Sequence, residues 1–157
     1  NVITLRRDPR DVALSWYSLA WDPTKSPMSS VKPTDKDAIK MTLDNPHDYQ
    51  YCLWYCFEIE RIARDYRPKL KSWGVNHYEV TLNQLQCKYN FNDMLKYFDM
   101  PKLNTLYTDK VNAQESKKLR KLEESERVDL EEQFIECIRN NNDLDESFLD
   151  MNLWNCY

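Results

Sequence analysis

The sequence predicts an α/β fold, a parallel sheet flanked by helices, and three features carry that expectation. Strand-like apolar runs at 1–5 and 75–80 alternate with longer stretches whose apolar residues recur at helical spacing. The first run passes at once through a polar turn into a helix start, a strand–turn–helix unit. With 157 residues, 41% hydrophobic and 13% aromatic, the chain has the length and apolar content for the core of one modest domain.

Taken in order, Asn1 to Leu5 suits a buried strand and breaks into the polar cluster Arg6-Arg7-Asp8-Pro9-Arg10-Asp11. Asp8 is placed to cap a helix with Pro9 in its first position, and Val12, Ala13, Trp16, Leu19 and Ala20 continue at helical spacing. From Trp21 to Thr34, prolines at 23, 27 and 33 among Ser, Thr, Asp and Lys predict a long surface loop. A second helix is predicted from Pro46 to about Arg67, with Pro68 closing it or starting a further turn, because Tyr49, Leu53, Cys56, Phe57 and Ile62 mark a broad apolar side. After Gly74, the chain's one glycine, comes the second strand, and Phe91 to Phe98 reads as a helix turning Met94, Leu95 and Phe98 inward. Residues 115 to 141 read as a charged helix or helix pair that ends in the Asn-rich run 140–142. The chain therefore divides into a strand–turn–helix (1–20), a variable loop (21–45), a helix–strand–helix core (46–114) and a charged helical tail (115–157).

Charge and composition narrow the function classes. Lys and Arg total 22 against 26 Asp and Glu, a formal charge of -4, which gives no electrostatic case for nucleic-acid binding. The basic run Lys117-Lys118-Leu119-Arg120-Lys121 is followed by Glu123, Glu124 and Glu126, the pattern of a solvated helix with compensating pairs. Cysteines at 52, 56, 87, 137 and 156 form no paired CxxC, and His47 and His77 stand in unrelated contexts, so no metal is expected. No run of about eighteen apolar residues is present, so no membrane span is expected in this chain. The compartment stays open, with free thiols in a reducing interior favoured and a Golgi lumen requiring an anchor upstream.

The polar turn after the first strand is the candidate site. Arg7 stands where the strand ends, and Ser15 lies eight residues on, about two turns into the helix. A strand feeding a helix brings backbone N–H groups and the positive end of the helix dipole to a crevice that suits an anion. An arginine adds a bidentate grip on phosphate oxygens and a serine adds one directional donor. The competing arrangement pairs Arg7 with Asp11 and leaves Ser15 facing solvent.

Residues 2–17, VITLRRDPRDVALSWY, resemble the segment with which the sulfotransferase family binds the 3'-phosphate of its donor, 3'-phosphoadenosine 5'-phosphosulfate. In that segment a strand ends in Arg, then Asn or Asp, Pro and a basic residue, with Ser eight residues after the Arg. The resemblance makes Arg7 and Ser15 the 3'-phosphate ligands, with Arg6 as the fallback. A second stretch, His77-Tyr78-Glu79-Val80-Thr81-Leu82 followed by Phe91 through Pro101, resembles the family's late strand with its Tyr-Glu pair and the helix after it; Asp99 stands where the family has Gly. By that resemblance Tyr78 lies beside the adenine, a core tyrosine being the equal alternative, while Glu79 ties structure together. Thr108-Asp109-Lys110-Val111-Asn112 resembles the basic stretch that closes over the nucleotide in some members, which makes Lys110 a candidate contact.

The resemblance implies a phosphate-loop-hydrolase-like fold and transfer of a sulfuryl group to a hydroxyl or amine acceptor on a carbohydrate, small molecule or protein, with no metal. The Gly-rich loop that holds the 5'-phosphosulfate has no counterpart here, since one glycine cannot build it. The catalytic residues are therefore unknown and expected upstream of Asn1, and the chain reads as the C-terminal part of such a domain. The loop Trp21 to Thr34 and the aromatic stretch Tyr49 to Phe57 are placed as acceptor-facing. Two other readings stand beside this one: a non-catalytic α/β interaction module whose charged helix packs on a partner, and a nucleotide kinase of related architecture.

Overall fold

The computed structural model describes residues 1–21, 31–105 and 120–152, and it is mixed α/β, mostly helical, with a small two-stranded parallel sheet. Strand β1 (Val2–Arg6) leads into helix α1 (Pro9–Ser18), and the long helix α2 (Asp48–Ser72) returns the chain to strand β2 (His77–Thr81). Short α3 (Leu82–Leu85) and α4 (Lys88–Tyr97) follow, then α5 (Glu124–Asn141) and α6 (Glu146–Leu149). The strands pair with Val2 opposite His77 and Arg6 opposite Thr81. No described helix is long and apolar enough to cross a membrane, and the described residues contain no cluster of three or more metal-ligating side chains.

The helix ends explain where the expected boundaries hold and where they move. Asp8 caps α1 as expected, its carboxylate accepting from the Arg10 N–H at 2.9 Å with Pro9 in the first turn. Pro68, by contrast, does not stop α2. The helix runs on to Ser72 and ends at Gly74 (φ 68°), whose N–H bonds the Lys71 carbonyl while Val75 N–H bonds that of Leu70. These two bonds are a Schellman cap, and the stop signal is the left-handed residue rather than the proline. Two more helices end the same way: Ala20 (φ 57°) after α1 and Asp99 (φ 55°) after α4, each followed by the matching pair of capping bonds. Asp99 thus occupies the left-handed position that glycine fills most cheaply, a conformation Asp tolerates better than most residues.

Two apolar clusters form. The larger joins α1, α2, α5 and α6 around Tyr49, Leu53, Trp54, Phe57, Phe134 and Ile138, each with no exposed surface. The smaller packs β2 on α4 through Val80, Met94 and Leu95. The segment before α2 is fastened to the larger cluster at Ile39: its N–H donates to Glu58 Oε2 at 3.0 Å, and its carbonyl accepts from Trp54 Nε1 at 2.9 Å. Helix α5 buries Phe134, Cys137 and Ile138 in its own chain.

Beta-strand β1 is covered on one side only. Val2 N–H donates to the Asn76 carbonyl at 2.8 Å, so in a parallel ladder Ile3 and Leu5 direct their backbone groups to the other edge, where no described strand pairs with them. The two residues are 49% and 53% exposed.

Tyr49 gives the fold a testable alkaline limit. Burial, reinforced by a 2.6 Å hydrogen bond to Glu131 Oε1, pushes its phenol far above the ordinary value of 10.0. The unfolded chain ionises this group near 10, so its contribution is complete below that pH and declines as pH rises further. The expected decline approaches ~1.4 kcal/mol per pH unit from this one proton. Urea unfolding followed on both sides of that pH should show a shallower decline for Tyr49→Phe; an equal or steeper one rules the assignment out.

Candidate functional site

The candidate anion site is the exit of β1. Arg6 and Arg7 are neighbours in an extended chain, so their side chains leave on opposite sides. Arg6 turns inward, 6% exposed, with Nη2 2.8 Å from Glu60 Oε1 of α2. Arg7 is exposed, and its guanidinium has no hydrogen-bond or ion-pair partner among the described residues. Arg10 is also committed, with Nε 2.9 Å and Nη2 2.6 Å from the two oxygens of Asp8 and a further bond to Asn152. Three arginines thus stand around one turn, and one of them is unpaired. The alternative pairing of Arg7 with Asp11 does not form.

Ser15 is exposed on α1, roughly 9 Å along the axis from Pro9 at the helical rise per residue. Its hydroxyl has no described partner, although its carbonyl accepts from Ser18 Oγ at 2.8 Å. The start of α1 offers an anion less than the sequence suggests. Pro9 has no N–H, and that of Arg10 is already taken by Asp8. An anion at this turn therefore depends on side chains more than on the helix terminus.

Arg7 lines a groove of about 370 Å³ between the end of β1 and helices α1 and α2, with Leu5, Val12, Trp16, Tyr55 and Ile59 among its walls. Tyr55 is half-buried there, in ring contact with Trp16 and Trp21 at 5.7 and 5.1 Å. Tyr51 is half-buried as well, but Tyr49, Leu53, Trp54 and Phe57 of the stretch expected to face an acceptor are core, with no exposed surface. That expectation is corrected by helical periodicity, which turns this face of α2 onto α1 and α5. Of the loop from Trp21 to Thr34, residues 22–30 lie outside the described residues, as does Lys110.

Tyr78 stands apart from the Arg7 turn. It pairs in register with Ile3, which places it about 13 Å back along the ladder from Arg7 at the rise of a strand. Its ring packs 5.2 Å from Tyr97 and 6.1 Å from Phe98, on the α4 side of the sheet. Glu79 points the other way, ion-paired with Arg67 and 3.9 Å from Arg6.

Sequence reading missed the residue that organises this turn. Glu60 is buried and receives Arg6, Arg64 and Arg67. Its signal was legible in the spacing Glu60, Arg64, Arg67, which puts all three on one face of a helix. Known protein families, curated proteins and solved structures give no match to this chain, so what the site does must be read from its own residues.

Proposed function

We propose that the chain is the nucleotide-gripping part of a sulfotransferase, with Arg7 and Ser15 holding the 3'-phosphate of 3'-phosphoadenosine 5'-phosphosulfate. The observation that carries this reading is the unpaired Arg7 at the end of a parallel strand, between two arginines already bound to carboxylates. The Arg7 guanidinium and the Ser15 hydroxyl, each without a described partner, are donors of the kind a phosphate dianion takes, although no contact joins them. The eight-residue spacing from Arg7 to Ser15 matches the sulfotransferase segment, and the parallel strand-turn-helix is compatible with a phosphate-loop-hydrolase-like fold. When bound, the donor supplies an activated sulfuryl group for a hydroxyl or amine of a carbohydrate, small molecule or protein. The residues of this chain bind and orient it. Tyr78 and Lys110 are secondary candidates for the nucleotide, and no residue is assigned a catalytic role.

Calorimetric titration tests the reading. The protein is expected to bind adenosine 3',5'-bisphosphate more tightly than adenosine 5'-monophosphate. Arg7→Ala should weaken the bisphosphate by about 2 kcal/mol, roughly thirtyfold, the size of a hydrogen-bonded charge contact. Ser15→Ala should cost about 1 kcal/mol. Equal affinity for the two nucleotides, or full affinity in Arg7→Ala, refutes the assignment.

A second reading has its own observation. The exposed Ile3 and Leu5 on an unpaired strand edge favour an α/β interaction module that takes up a strand from a partner. Absence of nucleotide binding in the same titration would move the weight there.

A further inference from the structure

We propose that the groove lined by Arg7 is the seat of the nucleotide's base: Trp16 and Tyr55 hold the flat ring, while Arg7 and Ser15 hold the 3'-phosphate at the groove's rim. The assignment rests on the reading of Arg7 as the phosphate ligand, and it moves the adenine away from Tyr78.

The groove has the size and lining of a small-molecule site. Its volume of about 370 Å³ lies at the lower end of the roughly 300–1,000 Å³ usual for such sites, which suits one base with its sugar. The walls are mainly apolar, with Leu5 of β1, Val12 and Trp16 of α1, and Tyr55 and Ile59 of α2 converging on one space. Of the charged residues that line it, Arg6 and Glu60 are ion-paired with each other at 2.8 Å, whereas Arg7 has no such partner among the described residues. An apolar groove with one uncompensated cation selects an apolar ring joined to an anion.

Helix α1 puts the two halves of that ligand side by side. Val12, Ser15 and Trp16 are spaced three and four residues from Val12, so they share one face of the helix. Val12 and Trp16 line the groove, and Ser15 is exposed next to them. A phosphate held by Ser15 therefore has the aromatic wall beside it. That wall is a cluster in which Tyr55 meets Trp16 at 5.7 Å and Trp21 at 5.1 Å, edge to face at 68° and 73°. Flat rings join such clusters by offset or edge-to-face contact, and aromatic side chains accept a base through its π face. Tyr78 offers less: it stands about 13 Å back along the ladder from Arg7, and its ring already packs on Tyr97 and Phe98. A partner strand added to β1 would pair the outward backbone groups of Ile3 and Leu5, but it would leave the Arg7 guanidinium, beyond the last residue of the strand, without a counter-charge.

Transferred nuclear Overhauser effects from adenosine 3',5'-bisphosphate to the wild-type chain give a readout that needs no variant. The adenine ring protons should show contacts to the ring protons of Trp16 and Tyr55; contacts to Tyr78 instead, or to none of the three, overturn the proposal. Calorimetry then compares the bisphosphate with methyl ribofuranoside 3,5-bisphosphate, which has the sugar and both phosphates but no base. Trp16→Leu and Tyr55→Leu keep apolar bulk and should each weaken the adenosine compound about tenfold, with the baseless compound staying within about twofold of wild type. Arg7→Ala should weaken both compounds alike, and Tyr78→Leu neither. A leucine variant that loses both compounds equally, or loses neither, overturns the proposal; if these variants do not fold, the wild-type contacts decide. Binding of both compounds through Arg7 with the base elsewhere leaves the phosphate assignment standing and removes the base site. Adenosine without phosphate separates the reverse case: contacts to Trp16 and Tyr55 with no gain in affinity from the 3'-phosphate keep the groove as a site for the ring and remove the phosphate reading. If neither adenosine nor the bisphosphate binds, both fall, and the groove is left to a strand paired on β1.

Discussion

Trp54→Ala is expected to destabilise the protein by about 3–5 kcal/mol, the usual cost of truncating a fully buried aromatic side chain. Three contributions act at this position. The indole has no exposed surface, so its removal leaves a cavity among Ile39, Leu53 and Phe57 in a core that cannot fully collapse. Its Nε1–H is the donor to the Ile39 carbonyl, so a buried acceptor is left unsatisfied as well. The segment before α2 then keeps the bond from the Ile39 N–H to Glu58, those between Lys40 and Asn142, and that from the Thr42 N–H to Cys137, but loses its tie to the indole. A loss of this size is a large share of the ~5–15 kcal/mol that holds a typical domain together. Urea unfolding measures the cost, and trypsin should cut the variant sooner at Lys36 and Lys40. Trp54→Phe keeps most of the apolar contact and loses the donor, so it should fall between wild type and alanine. An alanine variant within about 1 kcal/mol of wild type would show that Trp54 does not anchor this core.

The sequence is most readable where one residue's covalent chemistry dictates a backbone state. Asp8-Pro9 fixes the start of α1, and the Asn-rich run marks the end of α5 at Asn142. It is less readable where tertiary packing overrides a local preference. Pro68 is a strong helix breaker on local grounds, yet α2 continues past it, because the stop is set by the left-handed Gly74. Ala20 and Asp99 adopt the same left-handed cap without being glycine, and nothing in their identity announces it. The apolar periodicity of α2 is visible in the sequence, but periodicity gives a buried face and not what covers it. That is why Tyr49 to Phe57 could be read as facing an acceptor, when Tyr49, Leu53, Trp54 and Phe57 are buried in the core. At the candidate site the spacing of Arg7 and Ser15 was legible. The inward turn of Arg6 was not, because it depends on Glu60, which lies 54 residues away in the chain.

The 157 residues alone are expected to bind the bisphosphate nucleotide and to transfer no sulfuryl group. In the transfer, a bond forms from the acceptor oxygen or nitrogen to sulfur while the bond from sulfur to the phosphate oxygen breaks. Negative charge grows on the departing 5'-phosphate, and the acceptor's proton must leave. Catalysis needs donors or cations at that phosphate and a base at the acceptor. Under the proposed assignment Arg7 and Ser15 hold the 3'-phosphate, at the other side of the ribose, and cannot serve both ends. Arg6 and Arg10 are held by Glu60 and Asp8. A backbone loop wrapped closely around a phosphosulfate needs several glycines, and the one glycine of this sequence is used to end α2. The acceptor-side base and the phosphosulfate grip must therefore come from other residues than these. Incubation with radiolabelled donor and a panel of hydroxyl and amine acceptors, beside a bisphosphate titration of the same preparation, gives the answer. Binding without transfer is the expected result. Transfer at an enzymatic rate would show that residues within this chain complete the active site, and the division of roles argued for Arg7 and Ser15 would have to be abandoned. Neither binding nor transfer would remove the sulfotransferase reading and leave the strand-accepting edge of β1 as the chain's functional surface.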